Sequence, residues 1–188
     1  MNTGRLKIAA ALVLTAPFIP MLFQGEEWGA TSPFLYFTDH EDPELGRNVT
    51  AGRRREFVAF GWEPQEIPDP QALDTFERSK LNWSERDKKP HADLLAWYRR
   101  LIELRRKISA LSDGCLERVR VSFDETAKWF VVMRSSVAIA CNLNQVTQRV
   151  SAGIKPASKI LLASEDKVRL SQNAIELPSD SVAILSTG

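Results

Sequence analysis

The sequence predicts two textures in series, α/β over residues 1–111 and all-β over residues 112–188. Three observations carry this expectation. Residues 20–24, Pro-Met-Leu-Phe-Gln, form an apolar run that does not alternate. Such a run marks a strand covered on both faces, as in a parallel α/β sheet or barrel. Residues 90–111 carry an apolar stripe at helical spacing. From Ser112 onward, short alternating runs separated by turn residues indicate a compact antiparallel sandwich.

At the N-terminus, Thr3 is placed to cap a helix over residues 4–15, in which Ala9, Ala10 and Ala11 permit close packing. Ala16 precedes Pro17 and so leaves the helical region. The strand over 20–24 ends at Gly25. Glu26, Glu27 and Trp28 then occupy a loop at its carboxyl end, where α/β sheets and barrels bind ligands. The same stretch imitates a secretory leader, with Arg5 and Lys7 ahead of apolar residues 8–23. Against a leader stand Pro17 and Pro20 inside the run and the lack of a small-x-small cleavage site. The run also falls short of the about 20 continuous apolar residues that a bilayer requires.

Residues 29–83 are punctuated by Pro33, Pro43, Gly46, Gly52, Gly61, Pro64, Pro68 and Pro70, with aromatic residues throughout. A long aromatic loop of this kind is more suited to packing or function than to linking. Helices are expected near 49–60 and 71–80, the second with Asp74 and Glu77 as a capping box. Trp62 and Trp83 read as packing residues. In 90–111, Pro90 suits the first turn, and Leu94, Trp97, Tyr98, Leu101, Leu104, Ile108 and Leu111 form the apolar stripe. Basic residues in its last turns match the negative end of the helix dipole. Strands are expected at 115–123, 128–133, 136–143, 148–150, 159–163, 173–177 and 181–185.

Composition narrows the function. The 188 residues are 44% hydrophobic and 26% charged, with 25 Lys plus Arg against 24 Asp plus Glu. Near-balanced charge supplies no field for nucleic acid or an anionic membrane, so neither is expected as a partner. The runs Arg53-Arg54-Arg55 and Arg99, Arg100, Arg105, Arg106, Lys107 read as solvated helix faces. Cys115 and Cys141 are expected to be buried and reduced, in strands. With two histidines and no Cys/His cluster, no metal site is expected. Ser136, Cys141 and His91 have no triad context. Asn48-Val49-Thr50 fits a glycosylation sequon, which matters only in a secretory pathway.

Several motifs in order resemble one family. Pro-Phe-Ile-Pro-Met-Leu-Phe-Gln-Gly-Glu-Glu-Trp-Gly-Ala (17–30) is followed by Phe-Thr-Asp-His-Glu-Asp-Pro-Glu-Leu-Gly (37–46). Then come Gly61-Trp62, Pro-Asp-Pro (68–70), the run 75–83 and Trp-Tyr-Arg-Arg-Leu-Ile-Glu-Leu-Arg-Arg (97–106). Together they are similar to the end of the barrel in the α-amylase superfamily of glycoside hydrolases, within it the malto-oligosyltrehalose trehalohydrolase family. The resemblance is dense over residues 4–111 and only general over the β domain.

The resemblance implies the terminal part of a (β/α)8 barrel, namely the end of helix seven, strand eight and helix eight, followed by a C-terminal antiparallel β-sandwich. It implies a retaining α-glycosidase that hydrolyses an α-1,4 bond to release trehalose through two carboxylates. In the family those carboxylates and a third Asp in an Asn-His-Asp motif precede strand eight. No catalytic residue is therefore expected here, and the chain by itself is expected to be inactive. Substrate contacts are expected at Glu26, Glu27, Trp28, Asp39 and His40, without cofactor or metal. The implied partners are a malto-oligosyltrehalose-type oligosaccharide and the earlier part of the barrel, which strand eight needs for its ladder. The implied location is cytoplasmic. A non-catalytic carbohydrate-binding module, built from the aromatic loop and the sandwich, is the alternative function. A secreted protein with a cleaved leader is a third.

Overall fold

The computed structural model describes residues 2–188. Its helices are α1 (Thr3–Thr15), α2 (Pro43–Val58), α3 (Leu73–Ser79), α4 (His91–Lys107) and α5 (Ser109–Ser112). Its strands are β1 (Val119–Asp124), β2 (Trp129–Arg134), β3 (Val137–Asn142), β4 (Gln148–Val150), β5 (Lys159–Ala163), β6 (Arg169–Leu170), β7 (Ile175–Leu177) and β8 (Ser181–Ser186). Contacts divide the chain into two compact units. One holds the described residues up to 29 together with 86–188, and the other holds 30–85.

In the first unit, every strand pairing is antiparallel. One sheet has the order β1-β2-β3-β8-β5 and the other β4-β7-β6. Side chains alternate between the faces of a strand. Val137, Ile139 and Cys141 of β3, with Val182 and Ile184 of β8, therefore share one core with α1, α4 and α5. Ala138 and Ala140 of β3, with Ala183 and Leu185 of β8, share the other core with Val150, Ile175 and Leu177 of the smaller sheet. All six positions of β3 are buried as a result. Each fully buried Leu or Ile in these layers contributes ~1.5–3 kcal/mol. The expected antiparallel β domain is present, and the face opposite the smaller sheet is covered by helices.

Helix α1 begins one residue earlier than expected. Asn2 rather than Thr3 is its cap, accepting the Gly4 N–H at 2.9 Å. Ala10 and Ala11 are buried, while Ala9 is exposed. Helix α1 packs on α4, where the Trp97 indole donates to the Lys7 carbonyl at 2.9 Å. The long helix expected over 90–111 breaks at Ile108, in extended conformation, and resumes as α5. That break brings Leu111 into the core beside α1. Residues 116–118 form a 3₁₀ turn rather than the start of a strand, and the two-residue β6 was not anticipated. Cys141 is buried, but Cys115 lies outside a strand and is half-exposed; both are free thiols.

The expected strand over 20–24 is not formed. A strand exists through its ladder of hydrogen bonds, and among the described residues no strand lies beside this segment. Residues 19–23 run without regular structure, leaving Ile19 92% and Met21 88% exposed.

In the second unit, α2 starts at Pro43, six residues before the expected helix. Asp42 caps it by accepting the Glu44 N–H at 2.8 Å, and Pro43 fills the first turn. The expected Asp74–Glu77 capping box is absent, because α3 is capped by Ala72 without a side-chain bond. Asp74 instead pairs with Arg78 at 3.6 Å. Trp62 and Trp83, expected to pack, are 51% and 60% exposed. No helix among the described residues is long and apolar enough to cross a membrane.

Candidate functional site

Glu26, Glu27 and Trp28 form one 3₁₀ turn in the first unit. Gly25 (φ 86°) and Gly29 (φ 67°) bracket it in left-handed conformations that side chains resist. The turn closes on itself. Glu26 N–H donates to the Phe23 carbonyl at 3.0 Å, and Phe23 N–H donates back to Glu26 Oε2 at 2.8 Å. Glu26 Oε1 accepts the Tyr98 hydroxyl at 3.1 Å. Both carboxylate oxygens are thus committed to holding the loop, while Glu27 stands partly exposed beside it. Trp28 is 2% exposed, so its ring is packed into the core rather than presented to solvent.

Helix α4 organises this loop. His91, Tyr98 and Arg105 are seven residues apart, two turns each, and so share one face. His91 Nδ1 lies 2.8 Å from the Trp28 carbonyl, which accepts, so that nitrogen carries the proton. Tyr98 meets Glu26. Arg105 donates to the carbonyls of Leu14, Ala16 and Phe18 at 2.8, 3.0 and 2.9 Å. Those carbonyls lie at and just beyond the end of α1, where helical acceptors lack partners. Arg105 is therefore not part of a solvated face, as its basic run suggested. Burial, with Arg134 nearby, pulls its guanidinium below the usual arginine range. Burial is also the main influence raising the Tyr98 phenol well above its ordinary value, reinforced by the charges of Glu26 and Glu27. Neither His91 nor Tyr98 was singled out as a site residue from sequence; the heptad spacing of polar groups in an apolar stripe is the signal.

Asp39 and His40 belong to the second unit, among residues 30–85. Gln71 pins them: its Oε1 accepts the His40 N–H at 3.2 Å and the Thr38 hydroxyl at 2.5 Å. Its Nε2 donates to the His40 carbonyl at 3.2 Å. With the backbone held, the Asp39 side chain faces solvent and His40 is half-buried. Gln71 is set in turn by Asp69, whose Oδ1 accepts the Thr50 hydroxyl at 2.7 Å and the Gln71 N–H at 2.9 Å. The Thr50 bond, then the Gln71 bond, holds the Asp69 carboxyl below the usual range. The Pro-Asp-Pro-Gln stretch is a turn signal from which this support is legible.

Among the described residues no group of three or more His, Cys, Asp or Glu is arranged to hold a metal ion.

Residues 116–184 match a family described as a domain of unknown function (DUF3459). The malto-oligosyltrehalose trehalohydrolase of Rhizobium sp. (strain M-11) is 44% identical over 182 residues, 97% of this chain and 30% of that protein. The protein of the same name from Mycobacterium tuberculosis is 43% identical over 98% of this chain and 31% of its own length. That of Arthrobacter ramosus is 56% identical over 108 residues, covering 57% of this chain and 19% of that protein. The chain thus spans about 30% of the length of the first two relatives. Among solved structures, a Salmonella typhimurium protein provisionally described as an α-amylase superposes with a TM-score of 0.76 at 31% identity, over 98% of this chain and 31% of that one. The trehalulose synthase MutB from Pseudomonas mesoacidophila MX-45 shares the fold, with a TM-score of 0.63 at 20% identity over 97% of this chain and 38% of that one. Over nearly its whole length, the chain matches a C-terminal portion of the malto-oligosyltrehalose trehalohydrolases, on a fold shared with α-amylase family enzymes.

Proposed function

We propose that the chain acts as the C-terminal part of a retaining glycoside hydrolase that releases trehalose from malto-oligosyltrehalose-type chains. The observation that carries this reading is the match to trehalohydrolases along almost all of its residues. In this reading residues 1–111 complete a (β/α)8 barrel, and residues 112–188 form its terminal β domain. The nucleophile and general acid, a carboxylate pair in retaining enzymes, come from the preceding barrel strands. The segment 20–24 supplies the barrel's eighth strand once those strands are beside it.

In this reading Glu27 of the first unit receives substrate hydroxyls, and so, in the second unit, do Asp39 and His40. Glu26 instead fixes the loop, because both its oxygens are already bonded. Trp28 anchors the loop from the core side.

A chimera tests the reading: the N-terminal remainder of the Rhizobium relative fused to this chain, assayed for trehalose release from maltotriosyl-trehalose. The chimera is expected to release trehalose, and the 188-residue chain alone to release none. A chimera that folds but stays silent, while its parent is active, refutes the reading. In the active chimera, Glu27→Gln is expected to lower kcat/KM about tenfold, equivalent to about 1.4 kcal/mol.

A further inference from the structure

We infer that residues 30–85 carry a second carbohydrate site, a cleft for one neutral sugar ring built around Arg53. The inference rests on the glucan-handling function proposed above and adds a place where glucan is held without being cut. Neither Asp39 nor His40 lines the cleft, which has a volume of about 210 Å³.

Arg53 projects from α2 with its guanidinium 4.7 Å from the Tyr36 ring centroid and 4.5 Å from that of Phe57. Trp62 meets Phe57 nearly edge-on, with ring centroids 5.8 Å apart. The rings of Phe34, Tyr36 and Trp62 stay exposed around the opening, and buried Ile67 lies at the base. Single exposed aromatics are ordinary. Two rings, Tyr36 and Phe57, against one cation, with Trp62 packed on Phe57, are a built arrangement.

The charge state selects the ligand. Arg53, which lines the cleft, donates to Glu56 Oε2 at 2.9 Å, so its planar donor fork carries a charge that is already paired. An anionic ligand meets a cation already balanced. A wholly apolar ligand strands the remaining guanidinium donors, which is costly. A sugar ring has an apolar C–H face for Tyr36 or Trp62 and hydroxyls that accept from Arg53. Because two ring contacts hold the guanidinium beforehand, little ordering entropy is lost on binding.

The test is a titration of the ¹⁵N-labelled 188-residue chain with maltohexaose, following the Trp62 indole and Arg53 side-chain signals. Saturable shifts in the millimolar range are expected. Trp62→Ala is expected to weaken binding about tenfold or more. Trp62→Phe, which keeps a ring, is expected to stay within a few-fold of the parent. Three results overturn the inference: immobile Trp62 and Arg53 signals; undiminished binding in both Trp62→Ala and Arg53→Met with amide spectra like the parent's; or shifts produced by a proline-rich peptide and not by glucan. Trehalose release by the chimera without a shift at Trp62 removes this site alone. A saturable shift with a silent chimera removes the enzymatic reading and leaves this site standing.

Discussion

Replacing Arg134 by Met keeps the aliphatic stem and removes the guanidinium. Arg134 ends β2 on the face toward α1 and is 2% exposed. Its Nη1 donates to the carbonyls of Thr15 at 2.6 Å and Leu111 at 3.2 Å. Its Nη2 donates to the Asp113 carbonyl at 2.5 Å and to Asp113 Oδ1 at 2.9 Å. One cation therefore joins the end of α1, α5 and the loop leading to β1. A buried acceptor stripped of its donor costs ~1–3 kcal/mol. Thr15 and Leu111 are buried and pay in full, whereas half-exposed Asp113 regains water. The expected loss is about 3–5 kcal/mol, the range found when a buried pair is broken from one side. With a urea slope of ~2 kcal/mol per M, the unfolding midpoint falls by about 1.5–2.5 M. The assay is urea unfolding followed by tryptophan fluorescence and circular dichroism. Arg134→Lys, which retains charge but not the fork, is expected to lie between parent and Met. A midpoint shift below about 0.5 M for Arg134→Met at unchanged slope refutes the reasoning.

Three further outcomes are expected. Asp180 accepts from Arg5, Asn2 and Gln145. Burial raises its carboxyl, but these bonds outweigh it, and the net pKa is lowered. Stability from this group is therefore complete above the ordinary carboxylate range and lost as pH falls through the lowered value. Asp180→Asn should flatten the acid limb of Tm against pH, and an unchanged limb contradicts the assignment. In the Tyr36→Phe background, Tyr98 is the only tyrosine left. It should give no phenolate absorbance until alkaline unfolding, and Tyr98→Phe should cost ~0.5–1.5 kcal/mol by releasing Glu26. A phenolate appearing in the folded chain runs against that. Burial raises the Cys141 thiol far above its ordinary value. A disulfide exchange reagent should thus titrate one thiol, Cys115, in the native chain and two in denaturant; two native thiols contradict the packing.

Legibility in the sequence tracked the range of the interactions involved. Helices α1 and α4 and seven of the strands were readable because their patterns repeat over a few residues. The Glu-Glu-Trp loop was readable from its bracketing glycines. Helix α2 was placed late because its true start lies in Asp42-Pro43, a cap and first-turn pair masked by the loop-like composition around it. Residues 20–24 misled for a different reason. Their two-sided apolar pattern is real, but a pattern makes a strand only when another strand lies beside it. The same pattern in β3 and β8 is realised, because helices cover one face and a second sheet the other.

Local periodicity and turn chemistry thus determined which segments are helical, which are extended and where the candidate loop falls. Only the tertiary structure decided which of many arginines are buried, that Trp28 packs while Trp62 is exposed, and that His91, Tyr98 and Arg105 hold one loop. Those outcomes depend on meetings such as that of Arg134 with Thr15, 119 residues apart in the chain. No local propensity encodes such a meeting, because its energy exists only after the layers have packed.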